Sequence, residues 1–167
     1  MTVQSATSYS TTHGAAYAGM LADQQVYNTV SRLNKSSTVT IPFGYGVVSD
    51  GDNGARLPVA GSLNENLVGI TMRELTRAYR EGDVFGAVPE RDFAVITRGV
   101  VYVTATVTVT KDQPVYLIVG DGTGTNQGKF SNVVGAGANL GILVVGAKWV
   151  TSAAAGALAQ ISLSLGG

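Results

Sequence analysis

One stretch of this 167-residue chain constrains the fold more than any other: residues 101–110, VYVTATVTVT. Valine and alanine occupy one set of alternate positions, and tyrosine and threonine occupy the other. Because successive side chains of a strand point to opposite faces, this alternation predicts a strand with one apolar, buried face and one polar face. An antiparallel sheet with one solvated face produces this pattern. We therefore expect a long strand at Phe93–Val109.

Short apolar runs separated by turn residues recur along the rest of the sequence. Many of the 22 glycines lie between these runs, which favours tight turns over a helical bundle. About ten short antiparallel strands predict an all-β sandwich or barrel. Besides Phe93–Val109, strands are predicted at Val39–Val48, Ala55–Val59, Leu67–Met72, Val115–Val119, Val133–Val134, Gly141–Val145, Lys148–Val150 and Ala157–Leu165.

The first 38 residues differ from the rest, because they are rich in Ser, Thr, Gln and Asn and sparse in apolar side chains. Within them, the apolar run Ala15–Ala22 predicts either a short helix or an anchoring segment. The terminus is either a solvated tail or an arm that orders against a neighbouring subunit. Tyr17, Met20 and Leu21 favour the arm, since a solvated tail needs no apolar anchors. We expect an extended arm at residues 1–38 and a β-sandwich domain at residues 39–167.

The charge content argues against several classes of partner. Charged residues make up 13% of the chain and the formal net charge is +0, so no global field would attract nucleic acid or an anionic membrane. This low charge content also indicates that a partner covers part of the surface. The chain contains no cysteine, no membrane-spanning apolar run and no signal-peptide pattern. We expect synthesis in a cytoplasm, without export by the usual route.

The residues that usually carry chemistry are scarce. His13 is the only histidine, so neither a catalytic triad nor a histidine metal site is expected. Residues 50–54, DGDNG, resemble the start of a calcium loop, but Ala55 and Gly61 stand where that loop requires Gly and Glu. Residues 122–129 lack the spacing of a phosphate loop. Both segments are predicted to connect strands, and we expect no enzymatic activity, cofactor or metal.

Residues 73–92 hold nine of the 22 charged residues. Four arginines are interleaved with the carboxylates and would keep them ionised, which disfavours an acid–base pair. The stretch is therefore either a solvated loop or a protein-contact loop. Because arginine is favoured at interface hot spots, Arg73, Arg77 and Arg80 are the contact candidates.

Several segments, taken in order, resemble tailed-phage structural cement, or capsid decoration, proteins. The strongest are the A-x-x-G-M-x-A-D pattern at residues 16–23 and the S-A-A-A-G-x-x-x-x-x-x-L pattern at residues 152–163. The resemblance spans nearly the whole chain. Its other segments are IPFGYGVV at residues 41–48, VGIT at 68–71, REGD at 80–83, RGVVYV at 98–103 and QPVYL at 113–117.

This resemblance implies a jelly-roll-like domain on the outer surface of an assembled capsid. It implies a protein that bridges neighbouring major capsid proteins and acts by binding alone. The expected partners are the major capsid protein and further copies of the chain, as a dimer or trimer. Strand addition by an arm supplies backbone hydrogen bonds with little side-chain specificity. The candidate capsid contacts are Tyr17, Met20, Leu21, Arg73, Arg77 and Arg80.

An alternative is a carbohydrate- or receptor-binding β-module of a phage tail or fibre. It would use Trp149 and the tyrosines as stacking platforms. The aromatic residues are scattered through apolar strands rather than clustered in loops, and a lone Trp beside a turn is more often a core residue. A jelly-roll enzyme such as a cupin is disfavoured, because it needs several metal-binding histidines.

Overall fold

The computed structural model describes residues 16–23, 26–74 and 85–164. Within these ranges it contains eleven β-strands and two single-turn 3-10 helices, but no α-helix. The all-β sandwich or barrel class is confirmed, while the jelly-roll arrangement stays a prediction. The strands are β1 (Asn28–Leu33), β2 (Ile41–Pro42), β3 (Gly46–Asp50), β4 (Gly54–Arg56), β5 (Leu67–Thr71), β6 (Gly86–Ala87), β7 (Asp92–Thr104), β8 (Pro114–Ile118), β9 (Phe130–Ser131), β10 (Gly141–Trp149) and β11 (Leu158–Ser164).

The alternation that dominates the sequence forms the central strand, β7. Val101, Val103 and Ala105 are fully buried, whereas Tyr102 and Thr104 on the opposite face are half-buried. The regular strand ends at Thr104, five residues before the predicted end. Beyond it, the amide of Thr106 donates to the carbonyl of Phe130, and Val109 forms an isolated bridge with Ala153. The chain changes partners there, and the regular ladder ends.

The two halves of β7 belong to two different closed rings of strands. The first half pairs with β1 and β5, and β1 also pairs with β4. The order β1-β4-β3-β5-β7 therefore closes on itself, and we call it the first ring. The second half pairs with β11, and the order β7-β11-β10-β8-β9 is closed by a bridge from Phe130 to Ala105. We call this the second ring.

The buried apolar residues form two clusters: one lies within the first ring, and the other lies mainly in the second ring but also takes in Ile70 of β5 and Ile96 of the first half of β7. The first-ring core is small and includes Val47, Phe93 and Val95, with Ile41 of the separate β2–β6 pair packed into it. The second-ring core is larger and centres on Trp149 and Phe130. Its other members include Val101, Val103, Val115, Leu117, Val144, Ile161 and Leu163.

Strand β1 lies where the sequence analysis predicted no strand. It pairs antiparallel with β7 from Asn28↔Arg98 to Leu33↔Asp92. Its sequence, NTVSRL, is mostly polar and its residues are exposed or half-buried, so the apolar pattern that marks the other strands is weak. The division of the chain at residue 38 stays a prediction.

Four smaller predictions also differ from the structure. The run Val39–Val48 is divided into β2 and part of β3 by a turn at Gly44, where φ is 77°. The predicted strand at Val133–Val134 is wrong, because the strand lies just before it at β9. The two predicted strands at Gly141–Val145 and Lys148–Val150 are a single strand, β10. The predicted strand Ala55–Val59 is shorter and begins earlier, as β4.

Candidate interaction surface at the N-terminal segment

Residues 16–23, here called the N-terminal segment, lie along the edge of β7 beyond β1. The amide of Gly19 donates to the carbonyl of Tyr102 at 2.8 Å, and the amide of Tyr102 donates to the carbonyl of Met20 at 2.9 Å. The amide of Ala22 donates to Val100 at 2.8 Å. The segment thus covers backbone groups of β7 that β11, on the other edge, does not pair. Covering a strand edge in this way is a standard protection against unwanted pairing.

A close approach of two glycines holds the segment in place. Gly19 has a φ of 81°, and a Cβ there would lie 2.7 Å from the carbonyl oxygen of Thr71. The same Cβ would lie 2.8 Å from the amide nitrogen of Gly44. Any larger residue would both strain the backbone and collide with backbone atoms that have little freedom to move. The glycine of the A-x-x-G-M-x-A-D pattern is therefore required by the packing.

The three apolar side chains of the segment point in different directions. Leu21 forms a bridge with Val101 and packs against the second-ring core. Tyr17 and Met20 remain 49% and 44% exposed. Of the two predictions for this run, the short helix is wrong over residues 16–22, and the anchoring segment describes the structure. Leu21 is the anchor, while Tyr17 and Met20 are presented to the outside.

Arg73 connects the segment to the chain that follows β5. Its amide donates to the carbonyl of Gly19 at 2.8 Å. Its guanidinium carbon lies 4.2 Å from the ring centroid of Tyr17 and 5.9 Å from that of Phe85, which are cation–π distances. Its Nε is buried and has no hydrogen-bond acceptor among the residues that the structure describes. Stacking on the aromatic rings orients the Arg73 guanidinium, while its Nε–H has no acceptor among the described residues.

Arg73 also lines a surface groove, which does not include Tyr17 or Phe85. The groove runs from Met20 and Leu21 past Tyr27 to Met72 and Arg73. Aromatic, methionine and arginine side chains are the types enriched at the buried centre of protein interfaces. The groove therefore has the composition of a protein-binding surface.

The structure brings together four of the six predicted contact residues: Tyr17, Met20, Leu21 and Arg73. Arg77 and Arg80 lie outside the described residues. Sequence reasoning missed three neighbours of this surface, namely Tyr27, Met72 and Phe85. Phe85 and Tyr27 are about half-exposed, and an isolated aromatic residue in a polar segment was the only signal that marked either one.

The remaining candidate sites give no evidence of chemistry. Trp149 is fully buried, which confirms the core interpretation and leaves no platform for sugar stacking. The DGDNG segment connects β3 to β4 as a tight turn. Within the described ranges, no group of three or more His, Cys, Asp or Glu residues is placed to hold a metal ion. His13 lies outside those ranges.

A carboxylate caps the start of the loop after β8. Asp121 accepts hydrogen bonds from the hydroxyl of Thr123 at 2.6 Å and from its amide at 2.9 Å. These bonds stabilise the charged form and lower the pKa of Asp121. This local capping fixes the backbone at Asp121–Thr123. Among the helices of the described chain, none is long and apolar enough to cross a membrane.

The fold defines an all-β protein with an exposed aromatic and arginine surface, and comparison with known proteins identifies its family. Residues 5–164 match the model of the family described as structural cement protein (E217 gp24/Pam3 gp6). The chain therefore belongs to the phage structural cement protein family. No curated protein matches the sequence.

A solved structure supports the fold. A chain of the capsid of Myoviridae phage XM1 superposes with a TM-score of 0.70 over 93% of this chain and 94% of that chain. The two sequences are 18% identical, so the likeness concerns the fold. The resemblance stated from the sequence is thus confirmed at the level of the family.

Proposed function

We propose that this protein binds the outer surface of an assembled phage capsid and stabilises it by bridging neighbouring major capsid proteins. The observation that carries the proposal is the match of residues 5–164 to the structural cement family. The protein acts by binding alone, in the virion. Burial of its surface against adjacent capsid subunits would oppose their separation under internal pressure.

The groove beside the N-terminal segment is the proposed capsid contact. Tyr17, Met20 and Arg73 are exposed or half-buried on a segment that backbone hydrogen bonds already hold in place. Pre-ordered side chains lose less conformational entropy on binding. Arg73 is central, because its guanidinium is held by stacking on Tyr17 and it lines the groove together with Met20. Arg77 and Arg80 stay in the proposal as candidate contacts.

The experiment is co-sedimentation of the purified protein with mature capsids and with empty precursor shells. The wild-type protein is expected to bind mature capsids saturably, at a fixed number of copies. Arg73→Ala is expected to weaken binding by about tenfold or more, as hot-spot arginines do. Arg56→Ala is the matched control, since Arg56 is an exposed arginine of the first ring whose contact with Asp50 is long, at 4.0 Å.

Two outcomes would contradict the proposal at different levels. Absence of wild-type binding to either shell would reject the cement function. Wild-type binding that is unaffected by Arg73→Ala and Tyr17→Ala would leave that function standing and reject this groove as the contact. Capsids with and without the protein should also differ in heat tolerance, and equal tolerance would reject stabilisation as its role.

A further inference from the structure

A second concave surface, of about 520 Å³, lies where β7 and β11 pair on the outer face of the sheet. Its walls are formed mainly by Arg98 and Val100 of β7, Ser162 and Ser164 of β11, and Val26 in the chain before β1. Ser164 is the cross-strand partner of Arg98, and Ser162 is the partner of Val100. Because directly opposed residues lie on the same face of a sheet, the three polar side chains lie side by side. We call this site the Arg98 pocket.

A bulge in β7 positions the arginine of this pocket. Asn28 of β1 opposes Arg98, but the next residue, Thr29, opposes Ile96, so Thr97 is an extra residue in β7. The side chain of Thr97 is buried, and its hydroxyl accepts a hydrogen bond from the side-chain amide of Asn28 at 2.9 Å. Bulges re-aim the side chains beside them. Arg98 is the exposed residue that follows three consecutive buried ones.

The polar side chains of the Arg98 pocket are not engaged with each other or with their neighbours. Further along the same two strands, Gln160 donates to the hydroxyl of Tyr102 at 2.8 Å, so that cross-strand pair satisfies itself. The side chains of Arg98, Ser162 and Ser164 make no hydrogen bond or ion pair with any residue that the structure describes. A guanidinium has five N–H donors and each hydroxyl has one. The pocket therefore presents several donors that are available to a ligand.

No carboxylate offsets the charge of Arg98 on the strands around it. Neither β1 nor β11 contains Asp or Glu, and the one acidic residue of β7 is Asp92, at its first position. Asp23, which precedes Val26 in the chain, lines the groove of the N-terminal segment and not this pocket. An arginine that has free donors and no carboxylate beside it favours an anionic ligand.

The lining of the pocket indicates the class of anion. The guanidinium fork binds a planar carboxylate through two parallel hydrogen bonds, and the serine hydroxyls can donate to the same oxygens. Val26, which is 77% exposed, and the half-buried Val100 supply apolar surface for the methylene groups behind a carboxylate. A nucleic acid would require several cations along its backbone, whereas this pocket holds one. We infer that the Arg98 pocket binds a carboxylate on an aliphatic stem, such as a glutamate side chain of a partner protein.

This inference does not rest on the proposed function, because binding is measured on the isolated protein without capsids. The experiment is an NMR titration that follows the backbone amides of Gly99, Ser162 and Ser164 at constant ionic strength. The probes are N-acetylglutamate amide, its neutral counterpart N-acetylglutamine amide, and inorganic phosphate. The glutamate probe is expected to give saturable shifts at these amides, and the glutamine probe is expected to give none.

Substitutions separate a specific pocket from a general attraction of charge. Arg98→Gln is expected to weaken binding of the glutamate probe by about tenfold or more, since it removes both the charge and the fork. Arg98→Lys keeps the charge without the fork and should give an intermediate loss. Ser164→Ala should also weaken binding, by a smaller factor. Arg56→Gln is the matched control, because Arg56 is exposed and lies outside the pocket. Circular dichroism establishes that each variant is folded.

Four results would overturn the inference. The first is the absence of saturable shifts with the glutamate probe, and the second is equal binding of the glutamine probe. The third is a folded Arg98→Gln variant that binds as the wild type does, or an equal loss in the Arg56→Gln control. The fourth is tighter binding of inorganic phosphate than of the glutamate probe, which would assign the pocket to phosphate groups instead.

Discussion

The two rings share β7 but differ in the chemistry that they expose and bury. The first ring has a small core. The N-terminal segment lies between the two rings, because it pairs with the second half of β7 and approaches Thr71 and Gly44 through Gly19. The second ring has a large core around Trp149 and very little charge: only five of the 22 charged residues follow Arg98. The strand β7 thus joins a half that has a small core and more charged residues to a half that has a large core and few charged residues.

This difference indicates a division of labour. Stability comes mainly from buried apolar area, so the second ring should contribute most of it. The exposed aromatic and arginine groups lie where the N-terminal segment meets the chain that follows β5, and they are held by backbone hydrogen bonds and by stacking. Substitutions in each half should therefore differ in their cost to stability.

Removing the largest buried side chain of each core tests the contrast in stability. Trp149→Ala is expected to lower the free energy of unfolding by about 5 kcal/mol, and Phe93→Ala by about 3 kcal/mol, the two ends of the range for such truncations. The reason is that Trp149 is larger and lies in the larger core. Chemical denaturation of both variants measures the two values.

Trp149→Phe serves as the control for the first prediction. It keeps most of the apolar volume and removes the indole N–H, which is buried without an acceptor among the described residues. This variant should lose much less stability than Trp149→Ala. A Phe93→Ala variant that is as unstable as Trp149→Ala would show that the cores contribute equally.

The attachment of the N-terminal segment is tested by adding one methyl group. Gly19→Ala is expected to cost about 1–3 kcal/mol, because it combines a positive φ with a collision against Thr71 and Gly44. Hydrogen exchange at the amide of Tyr102, which donates to Met20, should become faster. Chemical denaturation and amide exchange check the two effects.

Gly61→Ala separates the strain from the collision. Gly61 has a similar φ, 84°, but a Cβ there meets nothing within 4 Å. It should cost less than Gly19→Ala and leave exchange at Tyr102 unchanged. Equal costs and unchanged exchange in both variants would mean that the close approach of Gly19 to Gly44 does not hold the segment.

The smallest expected effect concerns a charge of the second ring. Because hydrogen bonds from Thr123 lower the pKa of Asp121 in the folded state, the group stabilises the fold above its unfolded pKa of about 3.9. That stabilisation is lost as the pH falls through the lower, folded pKa. The contribution is small because the carboxylate is exposed.

An NMR titration of Asp121 measures this effect directly. Thr123→Val should raise the pKa of Asp121 towards its ordinary value, whereas Thr125→Val in the same loop should leave it in place. A pKa that does not respond to Thr123→Val would assign the shift to another cause.

Much of the site was predictable because its residue types are distinctive. Tyr17, Met20 and Leu21 stood out as apolar residues in a polar terminus, and Arg73 as an arginine in a charged stretch. Their assembly into one surface was not predictable. Tyr17 and Arg73 are far apart in the sequence, and only the pairing of the N-terminal segment with β7 brings them to 4.2 Å.

The sequence by itself determined the class of the fold, the central strand and the absence of familiar catalytic motifs. Those properties follow from local side-chain alternation, turn residues and composition. Tertiary structure alone decided that β1 is a strand, that β7 closes two rings and that Leu143 and Val145 lie outside. The sequence GILVV does not show which of its residues are buried, because burial depends on the elements that pack against each face of the strand.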